Sequence, residues 1–294
     1  MREKGSFVIQ SEIISADSRQ VYKGLNIGTG KITKKEMRGV KHHLIDVVPI
    51  LRLRSGQERF SVSDFVNMTN SAIAKIVTKG NIPIVCGGTG FYIDALLGDK
   101  QIPEVPPNPK LRKQLEKKSI EELFEILKKL DKERAKNIDS KNPRRLVRAI
   151  EICKALGKVP PLRQGFARQA KYDAIKIGIK IPEAELKKRI NKRLEKWFKA
   201  GLLKEVKNLH KNGLSWKRMS EIGLEYKLVA NFLRSHLGKK VSRTGLDTLQ
   251  LKKEMAQKTW QYTKRQMTWF KKDKNIVWLS SKISLAEKEV KRFL

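Results

Sequence analysis

The sequence predicts an α/β protein built around a parallel sheet. Two short apolar runs, Ile13 with Ile14 and Ile82–Cys86, each lead directly into polar or glycine-rich residues. Such runs are typical of buried parallel strands, and functional side chains collect where these strands end. Between the two runs, residues 61–79 have apolar side chains at helical spacing, and Ser61 or Ser63 could cap the helix. This strand–helix–strand pattern favours a sheet covered by helices.

A polar cluster follows the first strand. It consists of Asp17, Ser18, Arg19 and Gln20. The carboxylate of Asp17 could accept a proton, and its three neighbours could hydrogen-bond a base or a phosphate. The alternative is an ordinary turn in which Asp17 caps a helix, because such clusters are common in loops.

The composition is that of a globular protein. With 294 residues, of which 39% are hydrophobic, the chain can bury a sizeable core. No apolar run approaches the ~20 residues of a membrane span. Ser11 and Glu12 interrupt the apolar start, so we expect no signal peptide and a cytoplasmic protein without membrane contact. Cys86 and Cys153 lie in apolar surroundings without CxxC spacing and are expected to be buried thiols.

The charge is strongly unbalanced. Lysine and arginine together number 65 against 30 acidic residues, which gives a formal net charge of +35. An excess of this size is typical of domains that bind a polyanion. The alternative is a lysine-rich lineage in which lysine simply solvates every face.

Residues 24–59 are expected to contain little regular structure. Residues 24–41 read as a loop with a short helix, and residues 44–48 as a short strand around Asp46. His42 and His43 would point to opposite faces of a strand, which favours hydrogen-bonding roles over a shared metal ion. Residues 49–59 read as a surface loop.

A helical segment is expected after a boundary at residues 103–109, which hold four of the ten prolines. Residues 110–130 favour helix. Asn142 with Pro143 is typical of a helix start, and Gly157 of a helix end. The apolar face of this helix would comprise Leu146, Ala149, Ile150 and Cys153. The arginines near its start form a candidate anion site backed by the helix dipole, with a solvated face as the alternative: Arg144, Arg145 and Arg148.

The remaining sequence alternates between strand and helix. Residues 174–181 alternate strictly and predict a strand that Pro182 ends. The next helix would bury Leu186, Ile190, Leu194 and Trp197, with Arg189 and Arg193 on another face. Further predictions are helix at 201–237, loop at 238–247, a long basic helix at 249–270 and a final strand at 276–279. The aromatic residues of the long helix are expected mainly in the core, with base stacking as the alternative: Trp260, Tyr262, Trp269 and Phe270.

Several of these blocks, in this order, resemble one known family. They are ISADSRQVYKGLNIGTGK, HHLIDV, FSVSDF, PIVCGGTGFY, NPRRLVRAIEI, RINKRLEKW and KRQMTWF, and they cover roughly residues 11–280. Together they resemble the tRNA dimethylallyltransferases, which prenylate an adenine beside the anticodon. The segment SEIGLEY departs from the family pattern, because Leu224 stands where an aromatic residue is usual, and Tyr226 is a candidate replacement.

The resemblance implies a P-loop-kinase-like parallel sheet flanked by helices. The core would comprise residues 1–104 and 171–294, and residues 105–170 would form a helical insertion. The family also carries a first strand and a GxTxxGKT-like loop, which need on the order of 25 residues. Only the start of this chain, with the apolar residues 7–9, precedes the first matching block, so we expect that strand and P-loop to be missing. A late start codon or a truncated gene is favoured over a true family variant.

The resemblance also implies an activity and its residues. The reaction would move a dimethylallyl group from its diphosphate to N6 of adenine 37 in tRNA. Asp17 would act as the base, Arg193 would bind the diphosphate, and Mg²⁺ would be the cofactor, with metal ligands unknown. The partners would be dimethylallyl diphosphate and the tRNA anticodon stem-loop, bound by a monomer. The implied tRNA contacts are Asp17, Ser18, Arg19, Gln20, Thr89, Arg112, Arg144, Arg145, Leu146, Val147 and Arg148.

The sequence leaves two alternatives to this activity open. Without a P-loop, the chain could be a non-catalytic tRNA-binding protein of the same descent. It could also prenylate a free adenine nucleotide, as adenylate isopentenyltransferases do. The basic block around Arg144 argues against the second alternative.

Overall fold

A computed structural model describes residues 10–50, 60–98, 103, 105–159, 172–236 and 246–280. The chain is a mixed α/β protein, as predicted, and it divides into two compact units. The larger unit comprises Met1–Leu96 and Tyr172–Leu294, and the smaller unit comprises Leu97–Lys171. Some predicted features lie outside the described residues, namely the strand remnant at residues 7–9 and most of the loops at 49–59 and 238–247.

A three-stranded parallel sheet organises the larger unit. Strand β1 (Ser11–Ser15) lies between β2 (His42–His43) and β3 (Ile82–Cys86). Ser11 pairs with Ile82 and the register continues to Ser15 opposite Cys86. The strands predicted from the apolar runs are therefore confirmed. Their parallel arrangement brings the residues that follow β1 and β3 to the same edge of the sheet.

Three helices accompany this sheet: α1 (Lys34–Met37), α2 (Val62–Val77) and α3 (Gly90–Leu96). Ser61 begins α2 with a capping box, in which its side chain accepts the Asp64 amide and the Asp64 carboxylate accepts the Ser61 amide. Both bonds satisfy amides that the first turn leaves without partners. Phe65, Ile73 and Ile76 are buried, which confirms the predicted helix and its inner face.

The strand predicted at residues 44–48 is wrong. Leu44 and Asp46 have φ angles of 60° and 55°, in the left-handed region that a strand cannot contain. Residues 44–46 instead form a bend, which contacts from earlier in the chain tether: the buried Lys31 ammonium donates to the Asp46 carboxylate at 2.5 Å, and the Asp46 amide donates to the Gln20 carbonyl at 3.1 Å.

Strand β3 is not fully buried, in contrast to the buried strand that its apolar run predicts. Ile84 is 45% exposed, and Cys86 is exposed rather than buried. Within the described residues β3 pairs with β1 alone, so it is an edge strand, and α2 packs on it. Cys153 is buried, as predicted.

The smaller unit contains four helices: α4 (Pro109–Leu115), α5 (Ile120–Leu130), α6 (Lys132–Asn137) and α7 (Pro143–Leu156). The predicted helical segment 110–130 is split because Ser119 caps a new helix. Asn142 caps α7, Pro143 is its first residue and Gly157 ends it with a φ of 80°, as predicted. The core of this unit includes Leu123, Leu127, Leu146, Ile150 and Cys153.

The second half of the larger unit is mostly helical. It contains β4 (Lys176–Lys180), α8 (Glu183–Lys199), α9 (Leu202–Lys211), α10 (Trp216–Ile222), α11 (Leu224–Ser235), α12 (Leu246–Phe270) and β5 (Ile276–Ser280). Strands β4 and β5 pair in parallel, and both were predicted. Ile190, Leu194 and Trp197 of α8 are buried, which confirms its predicted stripe. The expected core position of the α12 aromatic residues does not hold fully, because Tyr262 is 44% exposed and Trp260, Trp269 and Phe270 are half-buried.

Candidate active site

The candidate site begins where β1 ends. The Asp17 carboxylate accepts the amides of Arg19 at 2.7 Å and Gln20 at 3.2 Å, both through Oδ1. Asp17 therefore caps a turn rather than a helix, which partly bears out the alternative reading of this cluster. The Oδ2 atom takes part in neither bond, and the half-buried side chain keeps one carboxylate oxygen for other chemistry.

The loop after β3 lies directly beside this turn. The Thr89 amide donates to the Ala16 carbonyl at 3.3 Å, so Thr89 and Asp17 meet at the same edge of the sheet. Gln266 of α12 donates its side-chain amide to the Gly88 carbonyl at 2.9 Å. A Cβ on Gly88 would collide with that amide, and one on Gly90 would collide with the Trp269 indole. Close packing within the protein therefore disfavours a side chain at Gly90, whereas at Gly88 the flexible end of Gln266 would have to move aside.

A second carboxylate enters the site from the start of α11. The Glu225 Oε2 and the Arg19 Nε each lie 3.8 Å from the point that a Cβ on Gly223 would occupy. Desolvation by burial raises the pKa of Glu225; Arg193 and Arg19 oppose this shift, and Asp17 adds to it. These interactions place Glu225 in one electrostatic neighbourhood with Asp17 and both arginines. The sequence did not single out Glu225, although it lies in the SEIGLEY segment.

Arg193 projects from the exposed face of α8. Its guanidinium lies 5.0 Å from the centre of the Trp197 ring, one turn further along the helix. In the part of the chain that the structure describes, no carboxylate forms an ion pair with Arg193, whereas Arg189 pairs with Glu185 at 2.7 Å. Arg193 is thus the arginine of this face that can receive an anionic ligand.

Gln20 and Tyr226 have structural partners that the sequence did not reveal. The Gln20 side chain donates to the carbonyls of Thr29 and Gly30 at 3.3 and 3.4 Å. Tyr226 is 1% exposed, and its hydroxyl donates to Glu205 at 2.7 Å. The buried Tyr226 side chain is therefore part of the core, and it is not available at the surface to replace the aromatic residue expected at Leu224.

Tyr262 of α12 is partly exposed and lies in the same electrostatic neighbourhood as Asp17, Arg19 and Glu225. Desolvation by burial raises the pKa of its hydroxyl, and Asp17, Arg19 and Glu225 are among its electrostatic partners. The Arg265 guanidinium lies 5.6 Å from its ring centre. An exposed ring beside cationic side chains has the features of a stacking platform for a base.

Three arginines of the smaller unit pair with carboxylates. Arg112 binds the buried Glu151 through Nε at 3.0 Å and NH2 at 2.9 Å. Arg148 donates to the same carboxylate at 2.5 Å, and Arg145 lies 3.7 Å from Asp139. Arg112 is therefore part of a buried ion pair, and the arginines of α7 do not form one unpaired cluster.

Three further predicted positions on α7 differ in exposure. Arg144 is exposed, Val147 is half-buried and Leu146 is fully buried in the core of the smaller unit. The Leu146 side chain therefore holds α7 in place and cannot itself contact RNA. Ser18, on the larger unit, is half-buried in the turn beside Asp17.

Neither histidine of β2 takes part in a metal cluster. His43 hydrogen-bonds Glu12 at 2.6 Å and His42 bonds the Val40 carbonyl at 2.8 Å, which confirms their predicted hydrogen-bonding roles. Across the described ranges, no three His, Cys, Asp or Glu side chains are grouped so that they could hold a metal ion. The helices in those same ranges include none long and apolar enough to cross a membrane.

Comparisons with known proteins agree with this architecture. The IPP transferase family model matches residues 20–273. A protein named tRNA dimethylallyltransferase from Anoxybacillus flavithermus is 36% identical over 273 residues, covering 92% of this chain and 82% of that protein. A tRNA dimethylallyltransferase 2 from Trichlorobacter lovleyi is 39% identical over 267 residues, covering 90% and 80%.

Solved structures give the same result. The full-length tRNA isopentenylpyrophosphate transferase of Bacillus halodurans superposes with a TM-score of 0.64 at 30% identity, covering 96% of this chain and 86% of that chain. A eukaryotic dimethylallyltransferase acting on tRNA gives a TM-score of 0.70 at 25% identity, covering 92% and 67%. These neighbours are consistent with the expected P-loop-kinase-like fold. The chain belongs to the IPP transferase family.

Proposed function

We propose that this protein transfers a dimethylallyl group from dimethylallyl diphosphate to N6 of adenine 37 in tRNA. Membership of the IPP transferase family supports the reaction class. The observation that carries the proposal is the sheet edge itself, where a carboxylate with one uncommitted oxygen shares an electrostatic neighbourhood with two arginines. The residues concerned are Asp17, Arg19 and Arg193.

Asp17 and Arg193 have separate roles in the proposed reaction. The adenine N6 forms a bond to C1 of the dimethylallyl group while the C1–O bond breaks and the diphosphate leaves with the electron pair. Asp17 takes the proton that N6 loses, because the exocyclic amine is a poor nucleophile until that proton is removed. Arg193 binds the departing diphosphate, a role that suits an arginine for which the described residues supply no ion-pair partner.

Mg²⁺ is the proposed cofactor. This ion commonly takes one or two protein carboxylates and completes its shell with phosphate oxygens and water, so a grouped set of three protein ligands is not needed. Glu225 is an acidic side chain at this edge that could serve, since Asp17 is taken up by its role as the base. When bound, Mg²⁺ would neutralise charge on the diphosphate.

The proposed RNA ligand is the anticodon stem-loop, bound by a monomer. The adenine has to leave its stack to reach Asp17, since the reacting amine is otherwise covered by its neighbours. Ser18, Arg19 and Thr89 are the proposed contacts around the extruded base, with Gln20 holding the turn from behind. On the smaller unit the proposed phosphate contacts are Arg112, Arg144, Arg145 and Arg148, with the Val147 backbone beside them.

The proposal is tested by mass spectrometry of an unmodified anticodon stem-loop incubated with the protein, dimethylallyl diphosphate and Mg²⁺. We expect a dimethylallyl mass increase at adenine 37. Asp17→Asn should lower the rate by about 100-fold or more, the range typical of a general base. Asp173→Asn is the matched control, because Asp173 is an exposed aspartate of the same unit.

Three results would contradict the proposal. Full activity of Asp17→Asn would remove the base from the mechanism. Tight RNA binding without any transfer would favour the non-catalytic alternative. A preference for AMP over the stem-loop as the acceptor would favour an adenylate isopentenyltransferase.

A further inference from the structure

Glu205 of α9 binds a loop of the candidate site through its carboxylate. Its Oε2 accepts the amides of Asn26 at 3.2 Å and Ile27 at 2.8 Å, and its Oε1 accepts the amide of Gly28 at 3.1 Å. The Tyr226 hydroxyl donates to Oε1 at 2.7 Å. One carboxylate thus collects four donors from two distant parts of the chain, and such charge-assisted bonds are stronger than neutral ones.

The loop at residues 26–30 packs closely against Tyr226 of α11 at Gly28. A Cβ on Gly28 would lie 2.8 Å from Cζ of the Tyr226 ring. Tyr226 is buried and follows Glu225 in the sequence, so Glu205 holds the loop and the start of α11 together. A pocket of about 420 Å³ borders Glu205 on the side of Asn26 and Asn208.

Thr29 and Gly30, at the other end of this loop, contact the turn that carries Asp17, the general base of the proposed reaction. The carbonyls of Thr29 and Gly30 accept the Gln20 side-chain amide, and the Gln20 main-chain amide binds the Asp17 carboxylate. A displacement of the 26–30 loop would therefore move the turn that orients Asp17.

Gly30 also contacts the side chain that supports Arg193, the arginine proposed to bind the diphosphate. Gly30, with a φ of 59°, packs against Trp197, whose Cζ2 lies 3.1 Å from the position of a Cβ on Gly30. Arg193 lies over the Trp197 ring. The 26–30 loop is thus a single piece of backbone in contact with the supports of both Asp17 and Arg193.

We propose that Glu205 is a positioning residue for prenyl transfer. It touches neither substrate; it fixes the 26–30 loop, and through that loop it sets the separation between the base and the diphosphate site. This inference rests on the proposed function. Reactions of this kind depend steeply on such a separation, and a misplacement of about 1 Å can cost ~100-fold in rate.

The test compares Glu205→Gln, Tyr226→Phe and the control Asn208→Ala, which changes an exposed neighbour on α9. Glutamine keeps the shape of Glu205 but loses its charge, and the adjacent pocket lets water reach the released amides, so the variant should fold. For each folded protein, kcat, the KM for both substrates and hydrogen–deuterium exchange at residues 26–28 are measured. Exchange reports on the loop itself and does not require activity.

For Glu205→Gln we expect faster exchange at residues 26–28, a kcat about 10- to 100-fold lower and a raised KM for dimethylallyl diphosphate. The KM for the anticodon stem-loop should change little. Tyr226→Phe keeps the carboxylate and should show a smaller loss, and Asn208→Ala should behave as wild type.

A lower melting temperature with unchanged kcat and unchanged KM would overturn the inference, since Glu205 would then be purely structural. Unchanged exchange at residues 26–28 would overturn it as well. If the wild type transfers no prenyl group, the proposed function fails and the positioning role fails with it. If the wild type is active and Glu205→Gln matches it, only the inference about Glu205 fails.

Discussion

Three glycines after β3 show how single positions are constrained by packing. Gly87 meets the Ala16 backbone, Gly88 meets Gln266 and Gly90 meets Trp269. Each lacks a side chain because another part of the protein occupies that space. Their shared consequence is that Thr89, which lies between them, is fixed beside the end of β1.

Gly88→Ala should destabilise the protein by about 0.5–1.5 kcal/mol, the net contribution of the hydrogen bond that is lost when the flexible end of Gln266 moves aside. The new Cβ would displace the Gln266 amide and break its hydrogen bond to residue 88. Chemical denaturation of the variant and the wild type measures the change.

Gly223→Ala is the matched control for this effect. Its φ of −176° is extended, and a Cβ there would make only ordinary contacts at 3.8 Å. We expect unchanged or slightly higher stability, because alanine reduces the freedom of the unfolded chain. Equal losses in Gly88→Ala and Gly223→Ala would show that the Gln266 contact is not the cause.

The ionisation of Glu12 is expected to make the folding stability depend on pH. This buried carboxylate accepts hydrogen bonds from His43 at 2.6 Å and from Lys79 and Asn81 at 3.2 Å each. The His43 bond is the largest cause that lowers its pKa, which falls to about 2 against the opposing effect of desolvation. Because the folded pKa lies below the unfolded value of 4.5, the unfolded state binds the proton more readily.

The stabilisation from Glu12 should therefore be complete above pH 4.5 and fall away as the pH drops towards 2. Melting temperatures of wild type and Glu12→Gln, measured between pH 2 and pH 6, check this. We expect the wild type to be more stable at pH 6 and the two curves to converge at low pH. A constant difference across that range would contradict the role of Glu12 ionisation.

Helices and strands were predictable where their signals are local in the sequence. The start and end of α7 follow from Asn142, Pro143 and Gly157, and the β4 strand follows from alternation over a few residues. These rules need only neighbouring side chains. The bend at residues 44–46 could not be predicted in this way, because its partner Lys31 lies 15 residues from Asp46.

The residues of the candidate site also differ in whether the sequence around them carries a signal. Asp17 and Arg193 were identified because their motifs resemble those of a family. Glu205 and Gln266 were missed, because their partners lie at the 26–28 amides and at Gly88, which is 178 residues from Gln266. A carboxylate or an amide on an ordinary helix carries no sequence signal for such a contact.

Glu151 joins α4 to α7 in the smaller unit, and its removal should be costly. Glu151→Ala would leave Arg112, Arg148 and the Asn108 amide without their acceptor. Breaking a buried ion pair costs about 3–5 kcal/mol. The two arginine side chains are 35% and 33% exposed and can turn to water, so we expect a smaller loss of about 2 kcal/mol.

Urea denaturation followed by far-UV circular dichroism measures this loss. Fluorescence would not report on it, because all five tryptophans lie outside Leu97–Lys171. The control is Glu133→Ala, whose exposed carboxylate pairs with Lys136 on α6 and should contribute less than about 1 kcal/mol. Similar losses in the two variants would refute a special role for Glu151.

The molecule as a whole carries a charge that suits its proposed RNA ligand. Its formal net charge of +35 is spread over a chain whose described units each contain arginines at proposed contact positions. Arg19 lies in the larger unit, and Arg112 and Arg148 lie in the smaller unit. If the positive charge only solvates the surface, RNA affinity should depend little on the salt concentration. If it binds phosphates, RNA affinity should fall as the salt concentration rises.

If the positive charge binds RNA phosphates, affinity for the anticodon stem-loop should fall steeply with salt. Each phosphate contact releases counterions, and six to ten contacts lower affinity by roughly 10³- to 10⁵-fold between about 50 and 200 mM salt. Arg19→Gln should reduce the slope of log affinity against log salt by about one contact, roughly 0.7–0.9. Lys136→Gln, which removes an exposed lysine paired with Glu133, should leave the slope unchanged. A shallow slope for the wild type, or equal slopes for both variants and the wild type, would mean that the lysine and arginine excess mainly solvates the protein and that Arg19 does not meet a phosphate.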